Sequence, residues 1–257
     1  MPQLHTVREG QGPAVVLSHA LGCDLSMWDG VAAALRDRFT VVRYDHRGHG
    51  RSPILPGAFT IDDMADDAAE LIAGLNLGPV HFVGLSMGGM TAQALGARHP
   101  QAVRSLVVAN SAQQYDEAAR AGWQVRVDTV RAQGMAAIAD GAMARWFTPE
   151  FRADAQGAAL VAQQRAVLLA NDAEAYVQAC LAVGAIDLAA GNARIGRPTL
   201  VIGGTRDEAT PMAMSEAMAA TIPGARLRHL DASHLSAIEQ PQAFAALLTE
   251  FWAGLPA

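Results

Sequence analysis

Val80-His81-Phe82-Val83-Gly84-Leu85-Ser86-Met87-Gly88-Gly89-Met90 is an apolar, β-branched run that reaches a Gly-X-Ser-X-Gly core and passes straight into a helix-like pattern ending at Pro100. That order predicts a strand, a very tight turn and a helix, with Ser86 at the apex. A serine on such an elbow crowds the backbone two residues to either side, and Gly84 and Gly88 remove the side chains that would clash. Strain of this kind persists where it aims a group, here the Ser86 hydroxyl out of the top of a sheet. A plain glycine-rich turn produces the same five letters by chance, so the rest of the chain has to decide.

Outward from the elbow, strand and helix patterns alternate. Leu4 to Arg8 reads as a short strand and Ala14 to Ser18 as a continuous apolar one, of the kind buried on both faces of a parallel sheet. Val31 to Arg38 fits a helix, Thr40 to Tyr44 a strand, Ile61 to Leu75 a helix with Asp62 and Asp63 at its start, and Val103 to Ala109 a strand. From Gln113 to Asn192 the chain is alanine-rich and helical, with breaks near Gly134, Thr148-Pro149, Asn171 and Gly184. Pro198 to Gly203 returns to a buried strand, followed by a helix over Pro211–Thr221, a strand over Arg226–Leu230 and a closing helix over Gln240–Trp252. The expectation is an α/β fold: a mostly parallel sheet flanked by helices, its core formed by 1–112 and 193–257, with 113–192 a helical cap over the sheet's functional edge.

Composition narrows the function classes. A chain of 257 residues that is 51% hydrophobic and 17% charged can bury a large core. Its net charge of −6, without a basic tract longer than two residues, argues against a nucleic-acid partner. The longest apolar runs are strand-sized, which argues against a membrane span. Met1-Pro2-Gln3-Leu4-His5 lacks the basic start and apolar block of a leader, and Cys23 and Cys180 stand apart without metal-ligand spacing. A cytoplasmic protein with reduced thiols is expected.

A serine hydroxyl is a weak nucleophile until a base takes its proton, and the base needs an acid to hold its tautomer. In hydrolases built this way the chain order is Ser, acid, His. Asp207 follows the strand ending at Gly203 and His234 follows the strand ending at Leu230, so both belong to loops at the sheet edge where Ser86 is expected. Glu208 is the rival for the acid. Asp187 has no strand before it, and Asp45 beside Arg47 reads as a structural pair; His19, His49, His81 and His229 read as scaffold. The oxyanion formed during acyl transfer needs backbone donors, for which Met87 N–H and Leu21 N–H are the candidates.

With these residues in view, the sequence resembles the α/β-hydrolase superfamily over nearly its whole length. Within it, Leu21–Asp29, Arg43–Gly50, Gly84–Gly89, Arg145–Pro149, Gly204–Pro211 and Ala232–Pro241 resemble the 3-oxoadipate enol-lactonases. The Trp-bearing first loop, the Arg145-Trp146-Phe147 segment and His234-Leu235-Ser236-Ala237-Ile238-Glu239-Gln240-Pro241 are the narrower matches. Ala20 departs from the glycine that many members carry, and the N-terminal segment is short by about one strand. The resemblance implies that Ser86, assisted by His234 and Asp207, opens a small lactone bearing a free carboxylate, with no metal or cofactor. Arg145 is the candidate for that carboxylate and Trp146 for a pocket wall, against the alternatives of a solvated arginine and a core tryptophan; Trp28 fits core or pocket wall. A carboxylesterase or cofactor-free perhydrolase would use the same triad, and a ligand receptor would have lost part of it.

Overall fold

A computed structural model describes residues 3–255; Met1 and Pro2, read above with the start of the chain, and Pro256 and Ala257 lie outside the described residues. The strands are β1 (Thr6–Glu9), β2 (Ala14–Ser18), β3 (Thr40–Tyr44), β4 (Val80–Leu85), β5 (Val103–Ala109), β6 (Thr199–Gly204) and β7 (Arg226–Leu230). They form one sheet in the order β1-β3-β2-β4-β5-β6-β7, parallel throughout except that β1 runs antiparallel to β3. Strands β2, β3, β4 and β6 are buried along their whole length, as largely apolar strands with helices on both faces are, with Arg43 of β3 paired to Glu9 and Asp29 and His81 of β4 bonded to Ser105. At the far edge β7 exposes Arg226, Arg228 and His229, charge-bearing residues that discourage edge-to-edge pairing. His229 is thus a surface residue, whereas His81 bonds the Ser105 hydroxyl at 2.7 Å and stacks on Trp252.

The helices are α1 (Asp29–Leu35), α2 (Ile61–Leu75), α3 (Met87–Arg98), α4 (Glu117–Gln133), α5 (Ala136–Trp146), α6 (Pro149–Ala153), α7 (Ala155–Ala170), α8 (Ala173–Gly184), α9 (Ala189–Asn192), α10 (Met212–Thr221), α11 (Ser236–Glu239) and α12 (Pro241–Ala253). Helix α1 starts two residues earlier than expected because Leu25–Trp28 already winds as a 3-10 turn, capped by Asp24, and runs into it. Helix α2 starts on a capping box between Thr60 and Asp63. Helix α3 is buried from Met87 to Gly96, a core helix lying on the sheet behind the elbow.

Helices α4 to α9 lie between β5 and β6, with breaks at each of the four expected places and a further one at Asp154, whose carboxylate caps α7. The two ends of this segment are tied together. Leu188 N–H donates to the Gln113 carbonyl at 2.7 Å, and the buried Asn192 amide donates to the side-chain carbonyls of Gln93 and Gln113 at 2.7 and 3.0 Å. Among the described residues no single helix is long and apolar enough to cross a membrane; α7 and α8 pass on length and composition only as a pair, across a 99° bend.

Candidate active site

Parallel strands bring their C-terminal ends to one edge. Pairing of Ser18 with Gly84, Leu85 with Ala109 and Ala109 with Ile202 sets the loops after β2, β4, β5 and β6 side by side. Ser86 sits there at φ 57° and ψ −116°, a conformation that costs a non-glycine residue about 1–3 kcal/mol. A Cβ on Gly84 would overlap the Gly88 carbonyl, as the elbow predicts. Gly88 answers to a different neighbour: its Cβ would overlap the Ser18 carbonyl of β2, so this glycine lets α3 descend onto the next strand.

The structure brings Ser86, His234 and Asp207 into one chain of hydrogen bonds. Ser86 Oγ lies 2.9 Å from His234 Nε2, and His234 Nδ1 lies 2.9 Å from Asp207 Oδ2. With Nδ1–H donating to the carboxylate, Nε2 is the acceptor facing the hydroxyl. Asp207 Oδ1 accepts from Ala209 and Thr210 N–H at 2.8 and 2.9 Å, and Oδ2 also accepts from Thr210 Oγ1 at 2.6 Å and Asn110 Nδ2 at 3.0 Å. Burial pushes this carboxyl up, but the His234 charge and the hydrogen bonds of His234 and Thr210 outweigh it and hold it at about 2. Glu208, its rival for the acid role, lies on the cavity wall.

Asn110 carries no sequence signal beyond its place at the end of β5. Its φ is 44°. Besides Asp207, its amide reaches the Ser233 carbonyl at 3.3 Å, and its carbonyl accepts from Ser236 Oγ at 2.6 Å. One side chain therefore ties the acid to the loop of the base.

The loop after β2 is held by histidines. His46 N–H donates to His19 Nε2 at 3.0 Å, so His19 Nδ1 carries the proton and donates to the Ala20 carbonyl at 2.8 Å. The Ala20–Leu21 peptide is planar and trans, so fixing that carbonyl also fixes the direction of Leu21 N–H. Met87 opens α3, and its N–H is among the donors that a helix start leaves without an intrahelical acceptor. Asp45 does not pair with Arg47. Its carboxylate accepts from Leu25 and Arg51 N–H and meets His5 Nδ1, while Arg47 forms a two-pronged pair with Asp67. The aspartate serves loop backbone, and α2 supplies the arginine's partner.

Burial pushes His19 down, His46 well down, and His49 to about 3. The folded protein thus keeps them neutral while the unfolded chain takes up protons below about pH 6.5, so stability is lost as pH falls from there toward 3. For His49 the cost is roughly 1.4 kcal/mol per pH unit in that window, and His19 and His46 act in the same direction. Urea unfolding at pH 7, 6 and 5 is expected to show this loss, and His49→Gln to have a shallower slope; equal stability at all three values would refute it.

A cavity of about 310 Å³ opens above Ser86 and His234. Leu21, Arg145, Trp146, Trp123, Arg126 and Tyr115 are among its lining residues. Trp28 is not. It is fully buried and packs edge-on against Phe244, because the 3-10 turn points it into the core between α1 and α12. Arg145 and Arg126 form no ion pair among the described residues. Arg126 lies over the Trp123 ring at 4.9 Å with the Tyr176 hydroxyl at 3.5 Å. Burial, and then the Arg126 charge, push the Arg145 guanidinium down from its ordinary value. The Trp123-x-x-Arg126 spacing puts both residues on one face of α4, a sign the sequence holds but that an alanine-rich helix hides. Among the described residues no cluster of three or more His, Cys, Asp or Glu side chains could hold a metal ion.

The α/β-hydrolase fold profile matches residues 13–241. The chain belongs to the α/β-hydrolase fold family. It is 38% identical over 239 residues to 3-oxoadipate enol-lactonase 2 of Acinetobacter baylyi, covering 93% of this chain and 88% of that one. The enol-lactonase of Burkholderia xenovorans LB400 superposes with a TM-score of 0.93 at 38% identity, over 98% of this chain and 97% of its own. A thermophilic esterase of Thermogutta terrifontis, solved with malate bound, superposes with a TM-score of 0.91 at 29% identity, over 98% and 93% of the two chains.

Proposed function

We propose that this chain hydrolyses 3-oxoadipate enol lactone to 3-oxoadipate, in the cytoplasm, as a step of aromatic-compound degradation. The observation that carries the reading is the cavity itself, where a serine–histidine pair at 2.9 Å shares the lining with Arg145 and Arg126, neither of them in an ion pair among the described residues, although the Glu208 charge on the same wall acts on Arg145. Both guanidinium groups are partly buried, and a substrate carboxylate can meet them through charge-assisted hydrogen bonds. Its support from comparison is the likeness to two enol-lactonases at 38% identity. In this reading, residues 113–192 are a cap whose helices supply the arginines and Trp146, and the segments 1–112 and 193–257 supply the catalytic groups.

Ser86 Oγ attacks the lactone carbonyl while His234 Nε2 takes its proton and Asp207 steadies the imidazolium. Leu21 and Met87 N–H receive the oxyanion, each such donor being worth about 3 kcal/mol. The ring oxygen leaves as an enolate, which His234 protonates and which ketonises. Water activated by His234 then hydrolyses the acyl-enzyme. Since an enolate leaves readily, the site's task is positioning and oxyanion stabilisation.

The esterase of 29% identity favours a second reading, simple carboxylester hydrolysis by the same triad. Comparing kcat/KM on the enol lactone with that on p-nitrophenyl acetate separates them. The lactone is expected to be favoured on the order of 10³-fold or more, the scale on which a site built for polar groups rejects a substrate lacking them. Equal or reversed preference would leave the fold and triad in place and remove the lactonase reading.

A further inference from the structure

Two of the segments that most narrowly resemble the enol-lactonases, Arg145–Pro149 and Ala232–Pro241, are bonded to each other across the cavity's rim. Ser233 Oγ donates to the Arg145 carbonyl at 2.9 Å, and Leu235 N–H donates to the Trp146 carbonyl at 3.0 Å. Glu239 completes the join. Its Oε1 accepts from Thr148 N–H and its Oε2 from Ser233 N–H, both at 2.6 Å. Ser233 immediately precedes the base, and Thr148 lies two residues beyond Trp146 and caps α6.

Short bonds from backbone N–H groups to a carboxylate are roughly twice as strong as neutral ones. They are also directional, and here they hold two pieces of chain that no strand or helix joins. We propose that Glu239 is a positioning residue that sets His234 and the Arg145–Trp146 wall in fixed register. The consequence is that one side chain governs both proton transfer at Ser86 and the placement of the cavity's cation. The inference rests on ester hydrolysis at Ser86 and goes beyond it, since Glu239 touches neither the substrate nor the reacting atoms.

Glu239→Gln keeps the shape but puts an amide N–H₂ against one of the two backbone N–H donors, so one bond becomes a donor–donor clash. The test measures kcat and KM of Glu239→Gln and Ser233→Ala on two substrates, neutral p-nitrophenyl acetate and the carboxylate-bearing p-nitrophenyl hemisuccinate. Circular dichroism confirms folding, and Ser86→Ala serves as the blank. A displacement of about 1 Å at a reacting group costs on the order of 10²-fold, so kcat of Glu239→Gln is expected to fall about 10- to 10²-fold on both substrates. KM is expected to rise further for the hemisuccinate than for the acetate, because the guanidinium shifts with the wall. Ser233→Ala, which cuts only the bond to the Arg145 carbonyl, is expected to move both constants the same way by less. A folded Glu239→Gln whose kcat and KM match wild type on both substrates, with only its melting temperature lowered, overturns the proposal. Turnover that survives Ser86→Ala overturns the hydrolytic reading and this inference with it.

Discussion

Ser86→Ala is expected to lower kcat on the order of 10⁶-fold, the loss seen when the serine or histidine of a serine triad is removed and only oxyanion donors and binding remain. The expectation follows from how little else in the cavity can attack a carbonyl. Of the hydroxyls that line it, the Tyr115 phenol is pushed up to about 12 by burial and Thr210 Oγ1 donates to Asp207, whereas Ser86 Oγ has a base 2.9 Å away. Asp207→Asn is expected to cost about 10⁴-fold, since an amide there invites the wrong His234 tautomer. The two losses do not add, because each mutant already disables the same proton transfer. Stopped-flow measurement with p-nitrophenyl acetate checks this directly; a Ser86→Ala protein that still releases nitrophenol at more than a hundredth of the wild-type rate would exclude Ser86 as the nucleophile. The backbone gives an independent reading of the same residue. At φ 57° an alanine is as strained as the serine, whereas glycine is free there, so Ser86→Gly should melt above Ser86→Ala while being equally inactive.

How much of this site a sequence discloses depends on whether a residue's role is local. Ser86, Asp207 and His234 each follow a strand within one loop, and strand ends are visible as the points where apolar runs stop. Their convergence then follows from the sheet being parallel. At Gln113 and Asn192, where the composition changes, the two side chains are hydrogen-bonded. Residues whose work is done at long range left no such trace. Asn110 acts on Asp207, 97 positions away, and Glu239, besides the nearby Ser233, on Thr148, 91 positions away, so nothing near either in the chain hints at the distant partner. Trp28 failed as a pocket wall for a related reason. A loop tryptophan can turn outward or inward, and the 3-10 turn capped by Asp24, which turns it inward, depends on Asp24 accepting from Ser26 N–H and Oγ. The Asp45–Arg47 pair looked plausible by adjacency alone, yet neighbours in a loop often point to opposite sides, and here they do.

The arginine pair gives the second large effect, and the one that separates a lactonase from a general esterase. Removing a hydrogen bond to a charged group costs about 1.5–3 kcal/mol, roughly 10- to 150-fold per arginine. Arg145→Gln and Arg126→Gln are therefore each expected to lower kcat/KM on 3-oxoadipate enol lactone by that factor, and the double variant by about 10³-fold. On neutral p-nitrophenyl acetate the same variants should stay within about threefold of wild type, since no carboxylate reaches for the missing charge. Lysine at 145 should restore part of the loss: it returns the charge without the two-pronged fork. Which constant moves is informative in itself. If the carboxylate is gripped equally in the ground and transition states, KM rises with kcat unchanged; if the grip holds the lactone carbonyl over Ser86, kcat falls as well. The geometry favours the second outcome. Arg145 is on the segment bonded to the His234 loop, so a substrate anchored there is anchored to the base. Equal losses on the lactone and the neutral ester would mean that the two guanidinium groups hold the cavity's shape and not the substrate, and the carboxylate would then need another partner in this pocket.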